Sequence, residues 1–317
     1  MLIQATHVDP VLTNISVLYH NYEYHGKDFM PVLPVQVPAG KFPRFKKKAS
    51  YQVINDVLTA EGVAREVDFE TEFDNFSVEY HAQRKAVSDI AQQWANGAGG
   101  VQIFDIQVAT TRFLKDRILL NYEDAVASLL TNTATYGSNF NNEFGGGGQE
   151  PLLWTNPLST PINDMMTAIS SCAIRPNTMG VSRPTWNVLR EHPQILDRIK
   201  YSQLGVVTEA LLAELLDIQK VIVCSAQKEV TSGTTTYPWI WDPTSVGKVW
   251  FEYIQPPAPE VMTFGATFAT EADEFVRNYR VEERGRGSDM IECHWAYDLK
   301  VICQDVGYLL SNMLVSD

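Results

Sequence analysis

A row of carboxylates between Glu66 and Asp74 is the most distinctive chemical pattern in the chain, because an acidic side chain stands at every second position. Successive side chains of a β-strand point to opposite faces, so these carboxylates would share one face at spacings of about 7 Å. Each neighbouring pair then repels by roughly 0.6 kcal/mol even in water. The row can bind a positively charged surface, or remain hydrated as the solubilising charge of an edge strand. This acidic row consists of Glu66, Asp68, Glu70, Glu72 and Asp74.

Two basic segments could supply the opposite charge. The first lies upstream of the acidic row, in the same chain or in a neighbouring copy, and comprises Lys41, Arg44, Lys46, Lys47 and Lys48. The second lies on a predicted hairpin and comprises Arg277, Arg280, Arg284 and Arg286. Exposed ion pairs contribute only about 0 to 1 kcal/mol each, and salt weakens them. We expect the acidic row to form one side of an intersubunit contact, in which repetition over many copies multiplies this small energy.

Residue types capable of catalysis are present but are not grouped. The six histidines, His7, His20, His25, His81, His192 and His294, show no pair at metal-binding or triad spacing. Cys293 and His294 are adjacent on a predicted strand, so their side chains point to opposite faces and cannot act together. No Gly-x-Ser-x-Gly motif occurs, and the glycine run 145–148 lacks the Gly-Lys-Ser/Thr ending of a phosphate loop. We therefore expect no catalytic residue, no cofactor and no metal ion.

Composition narrows the class of protein. The chain has 317 residues, 45% of them apolar, and a net charge of -13, which argues against a general nucleic-acid binder. Residues 1–50 carry six basic and three acidic groups, whereas residues 51–100 carry three basic and nine acidic groups, so an N-terminal arm with its own role is expected. No secretory signal or membrane span is visible, and the four cysteines lie far apart. These features indicate a soluble protein with reduced thiols that is made in a cytoplasm.

The elements that position these groups can be predicted from local signals. Pro31, Pro34, Pro38 and Pro43 predict an extended arm that is held by a neighbouring copy, and removal of residues 1–40 should leave the body folded. Residues 50–87 are expected to form two long strands that turn near Glu61 and Gly62. A helix is predicted over about 103–131, with apolar residues near helical spacing at Ile106, Ala109, Phe113, Leu120, Ala127 and Leu130.

The remaining chain predicts an α+β fold. Thr160, Ser182 and Thr208 stand where helix N-caps are expected, and strands are predicted at 178–182, 221–225 and 249–254. Two long strands are predicted at 274–283 and 289–303, around the sequence Arg-Gly-Arg-Gly of residues 284–287.

The order of these parts resembles the major capsid protein of tailed bacteriophages with the Hong Kong 97-type fold. The resemblance covers essentially the whole chain and depends on order and spacing, since no strict signature is present. Its most telling stretches are residues 117–123 with 127–132, residues 161–169, residues 177–182 with Trp186 and His192-Pro193, and residues 207–216 with 220–226.

The resemblance implies a domain organisation. It consists of an N-terminal arm (1–48), an extended two-stranded loop (49–90), a peripheral domain (91–157 and 261–300) that includes the spine helix, and an axial domain (158–260 and 301–317).

The resemblance also implies a non-enzymatic function. Such proteins form hexamers and pentamers that close into an icosahedral shell around DNA, which they contact non-specifically. A separate scaffolding protein and a portal are the expected partners, in a virion that assembles in the cytoplasm of the host bacterium. Two alternatives remain at this stage: an encapsulin-like compartment that encloses cargo protein, and an enzyme with an unrecognised site in residues 158–260.

Overall fold

The computed structural model describes residues 23–44, 57, 72–90, 92, 105–141, 143–144, 152–199, 207–229, 237–256, 258, 261–283 and 286–315. Its helices are α1 (Gly26–Phe29), α2 (Ile106–Leu130), α3 (Pro161–Ser171), α4 (Arg183–Glu191), α5 (Pro193–Ile199) and α6 (Glu209–Leu216). The N-terminal strands are β1 (Val32–Pro34), β2 (Ala39–Arg44), β3 (Glu72–Ser77), β4 (Glu79–Ser88) and β5 (Phe140–Asn141). The later strands are β6 (Thr178–Ser182), β7 (Lys220–Cys224), β8 (Lys248–Glu252), β9 (Gly265–Ala269), β10 (Phe275–Glu283), β11 (Arg286–Val301) and β12 (Gly307–Ser311). The predicted α+β class is confirmed.

Helix α2 is the predicted spine helix. Asp105 caps it, since the Asp105 carboxylate accepts hydrogen bonds from the backbone N–H groups of Gln107 (3.0 Å) and Val108 (3.1 Å). No Gly or Pro interrupts it, and its length is about 37 Å at 1.5 Å per residue. The apolar pattern was misjudged at Phe113, whose side chain is 52% exposed. The buried face instead follows Leu114, Ile118, Tyr122, Val126 and Leu130.

The first five-stranded sheet packs on this helix. Its strands follow the order β1-β9-β11-β10, and β4 also pairs with β11. Strand β11 is long enough to pair along its length with β10, β4 and β9 in turn. Val87, Ile291, Cys293 and Trp295 on this sheet are buried in the same hydrophobic core as the spine-helix residues Leu114 and Ile118. The core therefore joins segments that are far apart in the sequence.

The second five-stranded sheet lies in the predicted α+β unit, in the order β5-β12-β8-β6-β7. Helices α3, α4 and α6 contribute Ile162, Met165, Trp186 and Leu212 to its core. Thr208 accepts a hydrogen bond from the backbone N–H of Leu211, whereas Thr160 and Ser182 occupy N-cap positions without a side-chain cap bond. Gly180 permits close packing here, because a Cβ atom at this position would lie 2.1 Å from the Trp250 ring.

Strands β2 and β3 form a separate two-stranded antiparallel ribbon, which we call the ribbon. Its Phe42 and Phe76 side chains are buried against Phe268 of β9, with the Phe76 and Phe268 rings stacked at 4.7 Å between centroids. This contact attaches the ribbon to the body. The chain between the two strands, including the turn predicted near Glu61 and Gly62, lies outside the described residues apart from Val57.

The N-terminal segment contradicts one expectation. Residues 23–34 were expected to belong to an arm with few core positions, but Phe29 and Met30 are fully buried and β1 pairs in parallel with β9. The expectation that the body folds without residues 1–40 is therefore not supported. The proline pattern was misleading because an extended proline-containing segment can also add an edge strand to a sheet. Residues 1–22 lie outside the described part of the chain.

Candidate assembly surface

The ribbon brings one basic and one acidic residue of the predicted set together within a single chain. Its register places Arg44 opposite Glu72, Phe42 opposite Asp74 and Lys41 opposite Asn75. Oppositely charged residues at such a cross-strand position attract each other. The described end of the acidic row therefore lies beside the upstream basic segment of the same copy, which was one of the two arrangements left open by the sequence.

The acidic side chains of the ribbon do not all point into solvent, and its apolar side chains do not all point into the body. Asp74 is half-buried and shares a face with Phe76, which packs against the body. Phe73 points the other way and is 64% exposed. Its cross-strand partner is Pro43. The apolar groups of this strand end are thus divided: Phe76 fixes the ribbon to its own chain, and Phe73 is available to another surface.

The other predicted contact residues are less informative. Arg277 lies opposite Glu292 on β10 and β11, with its guanidinium carbon 5.1 Å from the centroid of the Phe275 ring. Arg280 pairs in register with Asp289, and Arg286 with Glu283. Lys46, Lys47, Lys48, Glu66, Asp68, Glu70 and Arg284 lie outside the described residues.

His192 forms a buried contact with Ser159 that superficially resembles a catalytic pair, with 3.0 Å between Nε2 and the serine Oγ. However, the His192 Nδ1 atom accepts a hydrogen bond from the backbone N–H of Gln194 (3.2 Å), so the ring proton resides on Nε2. The Ser159 hydroxyl in turn donates to the Asn156 carbonyl (2.8 Å). No free basic nitrogen faces the serine, and the geometry is that of a structural histidine at the start of α5.

Cys293 and His294 lie on opposite faces of β11, as predicted. Cys293 is part of the main core, whereas the His294 ring lies 5.1 Å from both the Tyr80 and Phe275 rings. The Nε2 atom of His294 is 2.9 Å from the Glu292 carboxylate, and burial lowers the pKa of His294 in spite of that carboxylate. Burial raises the pKa of the Cys224 and Cys303 thiols, which opposes formation of a reactive thiolate.

Two cavities in the described part of the chain lack a constellation of acid, base and nucleophile. One cavity of about 440 Å³ lies beside α3, and its one acidic residue, Asp164, accepts a hydrogen bond from the Trp154 indole N–H at 2.8 Å. A second, of about 410 Å³, lies between the spine helix and Lys228, which forms an ion pair with Asp124. Among the described residues, no group of three His, Cys, Asp or Glu side chains could hold a metal ion, and none of the helices is both long and apolar enough to span a membrane.

A buried carboxylate that sequence reasoning missed lies at the centre of the molecule. Glu123 of the spine helix is fully buried and accepts hydrogen bonds from the backbone N–H groups of His25 (3.0 Å) and Gly26 (2.6 Å). It also accepts one from the Trp241 indole N–H at 2.7 Å. The sequence offered little signal, because Glu123 is directly followed by a second acidic residue, Asp124, and the two look alike without the tertiary structure. We call residues 25–34, which Glu123 holds, the clasp.

The comparisons with known proteins agree with this architecture. The chain matches no protein-family model. It is 27% identical to the major capsid protein of Burkholderia phage BcepMu over 226 residues, 69% of each chain, and 25% identical to that of Pseudomonas phage JBD67 over 227 residues, 70% of each chain. A phage-related protein from Bordetella bronchiseptica has a TM-score of 0.75 at 22% identity, covering 98% of this chain and 99% of that one. A virus-like particle from Pyrococcus furiosus has a TM-score of 0.56 at 12% identity, covering 95% and 96%.

The fold is therefore shared with a phage-related protein and with a virus-like particle. The two relatives named major capsid proteins, together with this fold, indicate a structural, non-enzymatic protein. Since both viral and virus-like particles share this fold, the fold by itself does not separate a phage shell from a compartment. The two relatives favour the phage shell, because both are named major capsid proteins of phages. They support the resemblance to a phage major capsid protein that was drawn from the sequence.

Proposed function

We propose that this protein forms the hexamers and pentamers of an icosahedral phage shell that encloses DNA. The observation that carries the proposal is the similarity to two phage major capsid proteins over 69% and 70% of this chain, and the fold match over 98% of the chain agrees with it. In this proposal residues 1–48 act as the arm, 49–90 as the extended loop, 91–157 and 261–300 as the peripheral domain, and 158–260 with 301–317 as the axial domain.

A separate scaffolding protein and a portal are proposed as partners, with DNA contacted non-specifically and assembly in the cytoplasm of the host bacterium. The net charge of -13 supports weak, non-specific DNA contact, because a strongly acidic surface repels phosphate. An encapsulin-like compartment is the competing arrangement for the same fold.

Electron microscopy of the purified protein tests the proposal directly. We expect closed shells when the protein is produced with its scaffold, and capsomers or irregular particles when it is produced alone. Regular closed shells formed without any scaffold, which retain a co-produced tagged enzyme, would instead support the compartment. A compact 35.6 kDa species that never assembles under either condition would contradict both.

The acidic row is proposed to contribute to contacts between copies through the ribbon. Support comes from the chemistry of its strand: Arg44 lies opposite Glu72 in the same chain, and the exposed Phe73 points away from its own body. Replacement of Glu70 and Glu72 by Lys should lower the yield of shells, and exchange of the partner Lys residues for Glu should partly restore it. Normal assembly of the charge-reversed variant at low salt would show that the row is only solvated.

A further inference from the structure

The clasp connects three parts of the molecule at one buried carboxylate. Two of the three hydrogen bonds accepted by Glu123 come from the N-terminal segment and one from Trp241, while Glu123 itself belongs to the spine helix. Burial raises the pKa of Glu123, although the His25 and Gly26 backbone donors and the Trp241 indole oppose that rise. Burial of a carboxylate costs free energy unless its oxygens accept hydrogen bonds. The Glu123 carboxylate therefore needs the N–H groups of His25, Gly26 and Trp241, and these donors need the carboxylate.

Apolar contacts hold the next residues of the clasp. The Phe29 ring lies 5.3 Å from both Trp241 and Trp250, whose rings stack at 4.8 Å. The Met30 carbonyl accepts hydrogen bonds from the Tyr122 hydroxyl (3.1 Å) and from the Thr267 hydroxyl (2.9 Å). The clasp is thus embedded in the main core and is not laid over its surface.

Charged contacts fix the outer side of the clasp. The Lys27 ammonium lies 2.9 Å from the Asp273 carboxylate, 3.2 Å from that of Glu274 and 4.6 Å from the centroid of the Trp295 ring. Although burial lowers the pKa of Lys27, Glu274 and Asp273 raise it overall, so this ion pair persists at neutral pH. The Glu274 carboxylate is also 3.4 Å from the buried Lys115 ammonium.

We propose that Glu123 is a positioning residue that sets where, and in which direction, the N-terminal arm leaves the body, and that correct shell closure depends on this anchor. Strand β1 already pairs in register with β9 at the C-terminal end of the clasp. The two directed hydrogen bonds from His25 and Gly26 to one carboxylate fix the N-terminal end of the clasp, from which the arm continues, to the spine helix. The proposal that Glu123 positions the N-terminal segment concerns the single subunit. The proposal that shell closure depends on this anchor, which we call the assembly claim, rests on the proposed shell function.

The sharpest variant is Glu123→Gln, which keeps the side-chain volume. The Gln oxygen can still accept from two donors, but its NH₂ group must face the Gly26 N–H, so a donor meets a donor. Gly26→Ala disturbs the same contact from the other side, because a Cβ atom there would lie 2.8 Å from the Glu123 carboxylate and also 2.8 Å from the Tyr122 ring. Asp124→Asn is the matched control, since it changes the same charge at the next position, where the partner is Lys228.

Limited trypsin digestion of the full chain, read by mass spectrometry, measures release of the clasp. Lys27 is the first basic residue of the sequence, and Lys41 in the ribbon provides an internal reference site. Cleavage after Lys27 should accelerate about tenfold or more in both clasp variants, since leaving a buried donor unpaired shifts an opening equilibrium by roughly one to two orders of magnitude. Cleavage after Lys41, and every rate in Asp124→Asn, should stay within about twofold of the original protein.

Three outcomes would overturn the inference. Unchanged cleavage after Lys27 in both clasp variants would show that Glu123 does not hold the segment. A parallel rise at Lys27 and Lys41, or global unfolding of both variants, would show that Glu123 supports the whole fold and not a local anchor. Normal closed shells from a variant with a released clasp would refute the assembly claim. Failure of the original protein and Asp124→Asn to assemble would instead count against the proposed function, independently of the digestion result.

Discussion

The clasp and the ribbon differ in burial although the first ribbon strand, β2, follows the clasp closely in the sequence. The clasp buries Phe29 and Met30 completely, whereas half of the ribbon residues are exposed and Phe73 lies largely in solvent. The difference lies in their partners. Glu123, Trp241 and Trp250 contact the clasp, whereas the ribbon attaches to the body through one small apolar cluster of Phe42, Phe76, Ala266, Phe268 and Ile302. Local composition therefore does not decide which part of an arm belongs to the core.

The largest expected difference between the two regions comes from matched phenylalanine truncations. Phe29→Ala should lower the free energy of unfolding by about 3 to 5 kcal/mol, because it opens a cavity beside two tryptophans. Phe73→Ala should change it by less than about 0.5 kcal/mol, because the side chain is largely in solvent. Denaturant unfolding of unassembled subunits measures both values. Equal losses of unfolding free energy in Phe29→Ala and Phe73→Ala would contradict the difference in burial between the clasp and the ribbon.

A smaller effect should appear in the pH dependence of clasp stability. Hydrogen bonds from His25 and Lys220 hold the pKa of Asp28 below its usual range, at distances of 3.1 Å and 3.2 Å. Since the folded pKa lies below the unfolded value of about 3.9, Asp28 stabilises the fold above that pH and loses this contribution as the pH falls through the folded pKa. Asp28→Asn should therefore cost at most about 1 kcal/mol at pH 7, since the pairs are partly exposed.

The free energy of unfolding of the original protein and of Asp28→Asn should be measured between about pH 2 and pH 7. This interval includes roughly the ordinary range of aspartate pKa values. The difference between the original protein and Asp28→Asn should shrink toward acid pH. Lys220→Met should show a smaller loss at neutral pH, because it removes only one of the two partners. A difference that grows as the pH falls would have the wrong sign and would exclude this account.

The smallest expected effect concerns the ribbon charges. Glu72→Lys places a second positive charge opposite Arg44, which should weaken the ribbon by about 0.2 to 1 kcal/mol. The double exchange Arg44→Glu with Glu72→Lys should restore most of that loss, and added salt should reduce both effects. Amide hydrogen exchange of the ribbon gives the local free energies. If the changes in ribbon stability from the two substitutions are strictly additive, Arg44 and Glu72 do not interact. A neighbouring copy would then be the remaining source of positive charge for Glu72.

Much of the fold could be predicted because it depends on signals a few residues long. The uninterrupted segment before Leu130 produces the spine helix, and Thr160, Ser182 and Thr208 mark three helix starts. The alternation around residues 275–301 produces the long hairpin of β10 and β11. The order of these elements was sufficient to predict the capsid fold, which the comparisons confirm. The spacing of the histidines separately predicts no catalytic role for His192 or His294.

The candidate site was less predictable, because it depends on contacts between distant segments. A carboxylate at position 123 in the sequence looks like any acidic residue of a helix; only the tertiary structure supplies His25, Gly26 and Trp241 as its donors. The faces of the ribbon are decided in the same way, because Phe268 draws Phe76 inward and leaves Phe73 outside. The sequence by itself determined the elements and their order, since capping and periodicity act locally. Burial and partners were decided by the tertiary structure, since they require residues that lie 97, 98 and 118 positions from Glu123 in the sequence.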